Sequence, residues 1–381
     1  MLRTLAIAAL TLVALPAGAR PAGAQAPDSG SFVIRIGTDT TVLERFVRTA
    51  DRLVAEAVQR SPSTMLHQLE LHLDAQGQVT GGEWTTRAPG ATEPSIRRQF
   101  QFRGDSASVV TTQAGATRTQ TVAARGAIPM AGPFYTPYEL ALTRGARGGG
   151  ASADVPLLAS GSVVSTPVQR VGGDTFSINN QFGEPMRAQL DQRGRLVRLW
   201  TPAFTTVERT SWLDLDRLAS DFAERDRNGR GLGPLSPRQT TRQRVGSANL
   251  WLDYSRPAMR GRPIWGALVP WGQVWRMGAN DAAHLATDRT LQIGDITVEP
   301  GTYTLFLLPT EQQWTLVVNR ATGISGLEHD PAQDVGRTVL RTESLAAPAE
   351  SFTIQVEGAG ADPRLAIQWD RTRATVPLRV R

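Results

Sequence analysis

The residues best suited to chemistry lie in one stretch, LVPWGQVWRMGANDAAHLAT, at positions 268–287. Asp281 stands three residues before His284, and a carboxylate so placed can orient an imidazole as a general base. Arg276 or Asn280 could then stabilise a developing oxyanion. This arrangement predicts a hydrolase in which His284, Asp281 and Arg276 are the candidate catalytic residues.

Two features of the sequence favour a structural role for the same residues. Positions 281 and 284 of an extended strand point to opposite faces, so Asp281 reaches His284 only if the chain turns at Gly278-Ala279. The Gly-x-Ser-x-Gly motif that exposes a serine nucleophile is absent from the sequence. The alternative is therefore that Asn280 and Asp281 cap a turn while His284 is a surface or core residue.

Arginine and tryptophan side chains crowd the same region and predict a binding surface. The candidate ligand-binding residues are Arg256, Trp271, Trp275, Arg276, Asn280 and Tyr303. Arginine over an indole face is a favoured cation–π pair. Together such side chains could bind the carboxylates and sugar rings of a cell-envelope glycan. The alternative is that the tryptophans fill a β-sandwich core and the arginines cap strand ends, because tryptophan is a large core residue.

Metals, cofactors and nucleic acids are not predicted. The chain contains no cysteine, and its four histidines, His67, His72, His284 and His329, show no metal-binding spacing. We therefore expect no metal, no cofactor and no disulfide. All 41 basic residues are arginines, and the formal net charge is +6. These charges are spread along the chain, whereas a nucleic-acid-binding protein needs them clustered on one face.

The N-terminus predicts export. Residues 1–3 form a short basic region, residues 5–15 form an apolar segment, and the Ala-Gly-Ala sequence at 22–24 fits a signal-peptidase site. The signal peptide should therefore span residues 1–24, with Gln25 as the first mature residue. No later segment offers the ~20 consecutive apolar residues of a transmembrane helix. We expect a protein of the periplasm or the extracellular space.

Residues 25–213 predict an antiparallel β domain. Residues 66–84 alternate polar and apolar positions around a turn, which is typical of a hairpin. Residues 42–60 fit a helix or a hairpin turning at Ala50-Asp51, and we predict the hairpin because the neighbouring segments are strands. These hairpins resemble the half-barrel domains of bacterial envelope and lipoprotein-carrier proteins. The resemblance implies an apolar concave face able to hold a lipid or another amphipathic molecule; a closed core without a ligand is the alternative.

Residues 214–239 predict a short helix followed by a linker. Leu215, Leu218 and Phe222 recur at helical spacing, and the pattern ends at an Asn-Gly pair. The residues that follow are rich in glycine and proline, as linkers are. The sequence therefore predicts a seam here, with a second domain at residues 240–381.

Residues 240–381 predict a β-sandwich of jelly-roll type, because short strand patterns alternate with turns such as Pro300-Gly301. The motif IWGALVPWGQVWRMGAN at 264–280 and the spacing Trp-x-x-x-x-Asn at 314–319 resemble the exported bacterial domain-of-unknown-function family 2911. Where such domains commonly have glutamate, this chain has Asp281. The resemblance implies a β-fold and an envelope location, but no reaction.

We therefore predict a mostly β, exported protein of two domains that binds a cell-envelope component, a glycan or an amphipathic molecule, without catalysis. Hydrolysis by His284 and Asp281 with Arg276 and Asn280 is the first alternative. A structural role, in which exposed strand edges bind another envelope protein, is the second. A hydrolase needs its residues to converge on one pocket, a glycan binder needs an open tryptophan face, and a scaffold needs neither.

Overall fold

The computed structural model describes residues 27–148, 152–358 and 362–381, and the predicted signal peptide lies outside these ranges. The described residues form two large β-sheets and two α-helices, so the predicted mostly β fold is confirmed. Within these ranges no helix is long and apolar enough to cross a membrane. The boundaries of the two predicted domains stay a prediction.

The first sheet has fifteen strands, which are, in chain order, β1 (Asp28–Ile36), β2 (Asp39–Arg48), β3 (Arg52–Gln59), β4 (Met65–Leu73), β5 (Val79–Arg87), β6 (Ile96–Arg103), β7 (Ser106–Gln113), β8 (Ala116–Ala123), β9 (Ile128–Pro129), β10 (Ser152–Ala159), β11 (Ser162–Gly172), β12 (Thr175–Asn179), β13 (Pro185–Leu190), β14 (Leu196–Trp200) and β15 (Thr205–Thr210). Across the sheet the order runs from β8 back to β1 and then from β15 back to β9. Nearly every strand thus pairs with its neighbour in sequence, as predicted from the hairpin patterns. The predicted hairpin at 42–60 is confirmed, with Val47 opposite Val54.

One connection in this sheet differs from the rest. Strands β9 and β10 run parallel, and a parallel pair needs a crossover segment between its strands. That segment is α1 (Thr136–Arg147), which the sequence analysis missed. It carries a proline and an acidic residue in its first turn and Arg144 and Arg147 in its last turn, which is the usual charge order along a helix.

Helix α1 lies on the inner face of the first sheet. Its Tyr138, Leu140 and Leu142 are buried in the same core cluster as Phe32 and Phe46 of the sheet. The inner face is therefore not the open apolar surface that the half-barrel resemblance implied, because a helix covers much of it. Among the described residues, cavities open at the two ends of α1.

The second helix, α2 (Leu215–Arg227), is the one predicted near the seam, and it packs on the outer face of the first sheet. The carboxylate of Asp214 accepts a hydrogen bond from the backbone N–H of Arg217 and caps the helix. Phe222 packs with Leu43 and Val58 of the sheet in a separate small core. The helix therefore belongs to the first sheet, and the chain passes to the second sheet through the residues after it.

The second sheet has nine strands, which are β16 (Arg238–Val245), β17 (Ala248–Ser255), β18 (Ala283–Thr287), β19 (Leu291–Ile293), β20 (Ile296–Val298), β21 (Gly301–Pro309), β22 (Trp314–Asn319), β23 (Asp334–Glu357) and β24 (Arg364–Val380). Strands β17 and β23 are not hydrogen-bonded neighbours, yet Tyr254 and Phe352 pack edge to face with ring centroids 5.9 Å apart. The sheet therefore folds over itself into two layers around one core, as a sandwich does.

The turn between β1 and β2 joins the two sheets. The backbone N–H of Thr38 donates to the carbonyl of Arg260 at 2.8 Å, and the Arg260 guanidinium pairs with Asp39. Gly37 has φ +58, and a Cβ there would lie 2.0 Å from the Arg260 carbonyl oxygen. Only glycine permits this approach, so the turn and the loop around Arg260 fit together closely.

Candidate functional site

The predicted catalytic residues His284 and Arg276 contact other residues of the C-terminal part, and their role in hydrolysis stays a prediction. His284 lies on β18, where its Nδ1 is 3.3 Å from the Arg238 guanidinium and its Nε2 accepts from the Gly323 N–H at 3.4 Å. Asp281 is exposed, and among the described residues its carboxylate makes no hydrogen bond to His284. Burial, followed by the charge of Arg238, lowers the pKa of His284. A catalytic role for His284 therefore stays a prediction without the oriented carboxylate that it needs.

The chain does turn where the hydrolase prediction required it. Gly278 lies against β17, and a Cβ at this position would lie 3.0 Å from the Ser255 carbonyl oxygen. Asn280 follows with φ +62, in the left-handed region that asparagine tolerates better than most residues. Asp281, at the end of the turn, is exposed at the surface.

The tryptophans near this turn pack mainly against one another. Trp275 stacks on Trp369 at 5.6 Å between ring centroids and meets Phe352 edge to face at 4.9 Å. The ring centroids of Trp265 and Trp314 lie 4.2 Å apart, and Trp265 packs edge to face on Trp275. These rings join the core of the sandwich. Their contacts match the alternative in which tryptophans fill the core.

The other predicted ligand-binding side chains have partners within the sandwich. Arg256 donates to the Phe352 carbonyl at 3.3 Å, Arg276 donates to the Ser325 carbonyl at 3.2 Å, and the Tyr303 hydroxyl donates to the Glu299 carbonyl at 3.0 Å. Trp271 is half-buried against the same core. Ligand binding by these residues and by Asn280 stays a prediction, because their observed contacts serve the fold.

A polar cluster that the sequence analysis missed lies at the start of β23. Asp334 accepts hydrogen bonds from His329 and from the buried Asn319, both at 2.8 Å, and from Arg337. These bonds outweigh burial and lower the pKa of Asp334. The sequence feature that could have indicated this cluster is Asn319, which ends the 314–319 motif. Asn319 also donates to the Asp330 carbonyl and accepts from the Ala321 N–H, so the cluster fixes the loop before β23.

Two buried carboxylates, those of Glu44 and Glu139, make hydrogen bonds at the first turn of α1. Glu44 of β2 accepts from the backbone N–H groups of Tyr135 and Thr136, at 2.7 and 3.1 Å, and from the Thr136 hydroxyl at 2.7 Å. Burial raises the pKa of Glu44 to about 7. Glu139 accepts from Arg209 at 2.6 Å. A strand residue thus provides the cap that α1 lacks in its own sequence.

A pocket with both apolar and polar walls opens beside the N-terminal end of α1, and we call it the Tyr135 pocket. It consists of two adjoining cavities of about 190 and 280 Å³ that share Pro133, Tyr135 and Thr205 in their walls. Apolar side chains line both cavities, and they include Ile34, Ile36, Val42, Met130, Phe134, Met186 and Leu235. Together the two cavities fall within the ~300–1,000 Å³ of small-molecule sites. Periodicity could not reveal this pocket, since the missed helix forms part of it.

No site for a metal ion is apparent in the part of the chain that the structure describes, where no three histidine or carboxylate side chains gather in a metal-binding group. The four histidines lie apart: His67 contacts Thr86, His72 contacts Glu70, His329 contacts Asp334, and His284 contacts Arg238 and Gly323.

Comparisons with known proteins agree with the predicted resemblance of the C-terminal part. Residues 236–378 match the model of a family described as a protein of unknown function, DUF2911. No curated protein matches the chain. A solved beta-barrel-like protein of the domain of unknown function DUF1849 from Brucella abortus matches at 14% identity, over 49% of this chain and 95% of that chain, with a TM-score of 0.33. That score is too low to carry an argument about fold or function.

Proposed function

We propose that this chain is an exported, non-catalytic binding protein for an amphipathic component of the cell envelope, whose apolar part occupies the Tyr135 pocket. The observation that supports the proposal is the pair of adjoining cavities on the inner face of the first sheet. Ligand sites of this kind are mostly apolar and contain a few polar groups that orient the ligand.

The walls of the pocket suit an aliphatic chain. Ile34, Ile36 and Val42 line one cavity, and Met130 and Met186 line the other. Methionine side chains adapt their shape to different occupants. Burying apolar surface of a ligand here contributes about 25 cal/mol per Å². The pocket therefore favours a flexible hydrocarbon over a polar molecule such as a sugar.

The rim of the pocket suits the polar end of such a ligand. Phe182, which is 76% exposed, stands beside Asn180 and Glu184 in the wall of the smaller cavity. A solvent-exposed aromatic ring at a pocket entrance gives an apolar chain a surface to meet before it enters. The Asn180 side chain donates to Glu184 at 2.7 Å, and the exposed Glu184 carboxylate keeps further oxygen lone pairs for a headgroup.

The amphipathic ligand is preferred over a glycan and over a hydrolytic substrate for separate reasons. The tryptophan faces that would stack on sugar rings are largely taken up by the Trp275–Trp369 stack and its neighbours. The hydrolytic alternative needs a bond between Asp281 and His284, whereas the imidazole of His284 contacts Arg238. Neither obstacle applies to the Tyr135 pocket.

The proposal is tested with N-phenyl-1-naphthylamine, a neutral apolar fluorophore, added to the full chain. Thr205→Trp places a large ring in the wall that both cavities share, and we expect it to weaken probe binding at least tenfold. Thr206→Trp is the matched control, because the next residue of a strand faces the opposite side. We expect its binding to stay within twofold of wild type.

Competition gives the second readout. A neutral long-chain alcohol such as 1-dodecanol should displace the probe from the wild-type protein. Absence of probe binding, or equal loss in both tryptophan variants, would contradict the proposal. Thermal unfolding of both variants shows whether each remains folded.

Export is tested separately from binding. Expressed with its own N-terminus in a Gram-negative host, the chain should appear in the periplasmic or extracellular fraction, and N-terminal sequencing should begin at Gln25. Retention of residues 1–24 in a cytoplasmic product would refute the predicted export.

A further inference from the structure

A second cavity of about 510 Å³ opens at the other end of α1, and we call it the arginine cleft. Three arginines line it: Arg48 from β2, and Arg144 and Arg147 from the last turn of α1. Asp28 is the one acidic residue in its wall. The cleft is independent of the Tyr135 pocket, since the twelve-residue helix between them is ~18 Å long.

Arg144 is the most informative of the three arginines. Its guanidinium is half-buried and donates to two backbone carbonyls, those of Gly126 at 2.5 Å and Gly77 at 3.2 Å. Among the described residues no carboxylate lies within 4 Å of it. Burial lowers the pKa of Arg144. A partly desolvated cation is normally paired, so a guanidinium fixed by carbonyls alone has capacity to bind an anion.

The acidic groups near the cleft are already compensated. Asp28 has three guanidinium neighbours, Arg48 and Arg209 at 3.5 Å and Arg195 at 3.9 Å. Glu139, behind the wall, is paired with Arg209 at 2.6 Å and lies 3.7 Å from Arg48. These two carboxylates therefore face three arginines.

The remaining charges of the cleft favour an anion. Asp74, the nearest other acid to Arg144, accepts backbone N–H groups of its own turn, from Gln76 and Gln78. The C-terminal end of α1 carries only about half a negative charge. That partial charge and the full charge of Asp74 are together smaller than the two full positive charges of Arg144 and Arg147, so the charge balance at the cleft is positive.

We propose that the arginine cleft binds a phosphate group. The guanidinium fork matches the paired oxygens of phosphate, and the two positive charges of Arg144 and Arg147 can neutralise a dianion, since Arg48 already pairs with Asp28 and Glu139. Arg144 provides the fixed contact, because its two carbonyl bonds hold the guanidinium in place. Arg147, which is exposed, closes on the ligand from the rim.

Isothermal titration of inorganic phosphate into the full chain at low ionic strength tests the proposal. We expect saturable binding to one site. Arg144→Gln should weaken it at least tenfold, and Arg147→Gln should weaken it several-fold. Arg118→Gln removes the same charge from an exposed position on β8 and is the matched control, expected to stay within twofold. If replacing the half-buried Arg144 unfolds the protein, the loss of phosphate affinity in Arg147→Gln still tests the proposal.

Sedimentation with vesicles separates a free phosphate from a lipid headgroup. Vesicles of phosphatidylcholine with phosphatidic acid should bind the wild-type chain and not the Arg144 or Arg147 variant if the phosphate belongs to a lipid. Phosphate binding without vesicle binding supports a free phosphate compound. If neither probe binds, or if the Arg118 variant loses as much affinity as the cleft variants, the proposal is wrong.

Discussion

The two halves of the molecule place similar side chains in different surroundings. In the second sheet, Trp265, Trp275 and Trp369 pack on one another, and Arg256 and Arg276 end on backbone carbonyls of the same sheet. In the first sheet, arginine and aromatic side chains line cavities at the two ends of α1. The stretch rich in tryptophan and arginine thus stabilises the core of the sandwich. The cavities that could hold a ligand lie instead beside helix α1, which has no distinctive motif.

Replacing Trp275 with alanine tests the first half of this comparison and should have the largest effect. The ring stacks on Trp369 and packs on Phe352, so its loss leaves a cavity in the aromatic core. We expect a loss of about 3–5 kcal/mol in the free energy of unfolding, measured with urea. Trp212→Ala, at a ring that is 54% exposed, is the control and should cost about 1 kcal/mol or less.

A small effect of Trp275→Ala would reverse the comparison. A ring that contributes little to stability while keeping its position would be available to a ligand. The predicted glycan site at 268–287 would then become the better candidate.

Glu139→Gln tests the polar support of α1. The carboxylate is 2% exposed and accepts from Arg209 at 2.6 Å. Among the described residues, the variant leaves the nearly buried guanidinium with Asp28, 3.5 Å away, as its ion-pair partner and the Leu196 carbonyl as its other acceptor. We expect a loss of about 3 kcal/mol in urea unfolding, the lower end of the range for breaking a buried pair.

The control for this variant is Glu208→Gln in the same sheet. Its partner Arg35 lies 2.8 Å away, but the Glu208 side chain is 46% exposed. Water screens that pair, so about 0–1 kcal/mol is expected. Equal effects of the two substitutions would show that burial does not strengthen the support of α1.

Much of the fold could be predicted because strand and hairpin signals are local. The hairpin at 42–60 and helix α2 followed from residue spacing and neighbouring turns. Helix α1 was missed although Pro137, Glu139 and the arginines of its last turn mark its two ends. Its N-terminal cap is Glu44, which is 92 residues away from Thr136 in sequence, and no local pattern reveals such a partner.

The candidate site was harder to predict than the fold for the same reason. The high density of polar and aromatic residues drew attention to 268–287. Whether His284 contacts Asp281 or Arg238, however, depends on which strands pair. The Tyr135 pocket is built from segments as distant as Ile34 and Leu235. Cavities are properties of packing between distant segments, so a single sequence gives little sign of them.

Acid should weaken the first sheet through His67, which stacks on Trp84 in its interior. Burial lowers the pKa of His67 to about 4, below its ordinary 6.5. The unfolded chain therefore binds the proton more readily than the folded chain. The contribution of His67 to the free energy of unfolding is complete above pH 6.5 and is lost as the pH falls toward 4. We expect His67 alone to account for a loss of about 2 kcal/mol between pH 7 and pH 5.

The measurement compares urea unfolding at the two pH values in the wild type and in His67→Phe. Phenylalanine keeps a flat ring against Trp84 but cannot take up a proton. The variant should lose less stability on acidification by that same ~2 kcal/mol. An identical pH dependence in both proteins would show that other groups govern the acid response of the first sheet.

Asn280 gives the smallest and most discriminating test of the comparison. Its φ of +62 lies in a region that β-carbon residues avoid, so Asn280→Ala should cost about 1 kcal/mol and Asn280→Gly should be neutral or slightly stabilising. Thermal unfolding of the full chain measures both. This pattern means that the residue serves the turn, as the contacts of its neighbours indicate.

If Asn280→Ala instead leaves the free energy of unfolding unchanged or raises it, asparagine at this position does not stabilise the fold, as is often true of functional residues. The turn at 278–281, in which Asn280 and Asp281 are exposed, would then rank with the Tyr135 pocket and the arginine cleft as a place to look for a ligand.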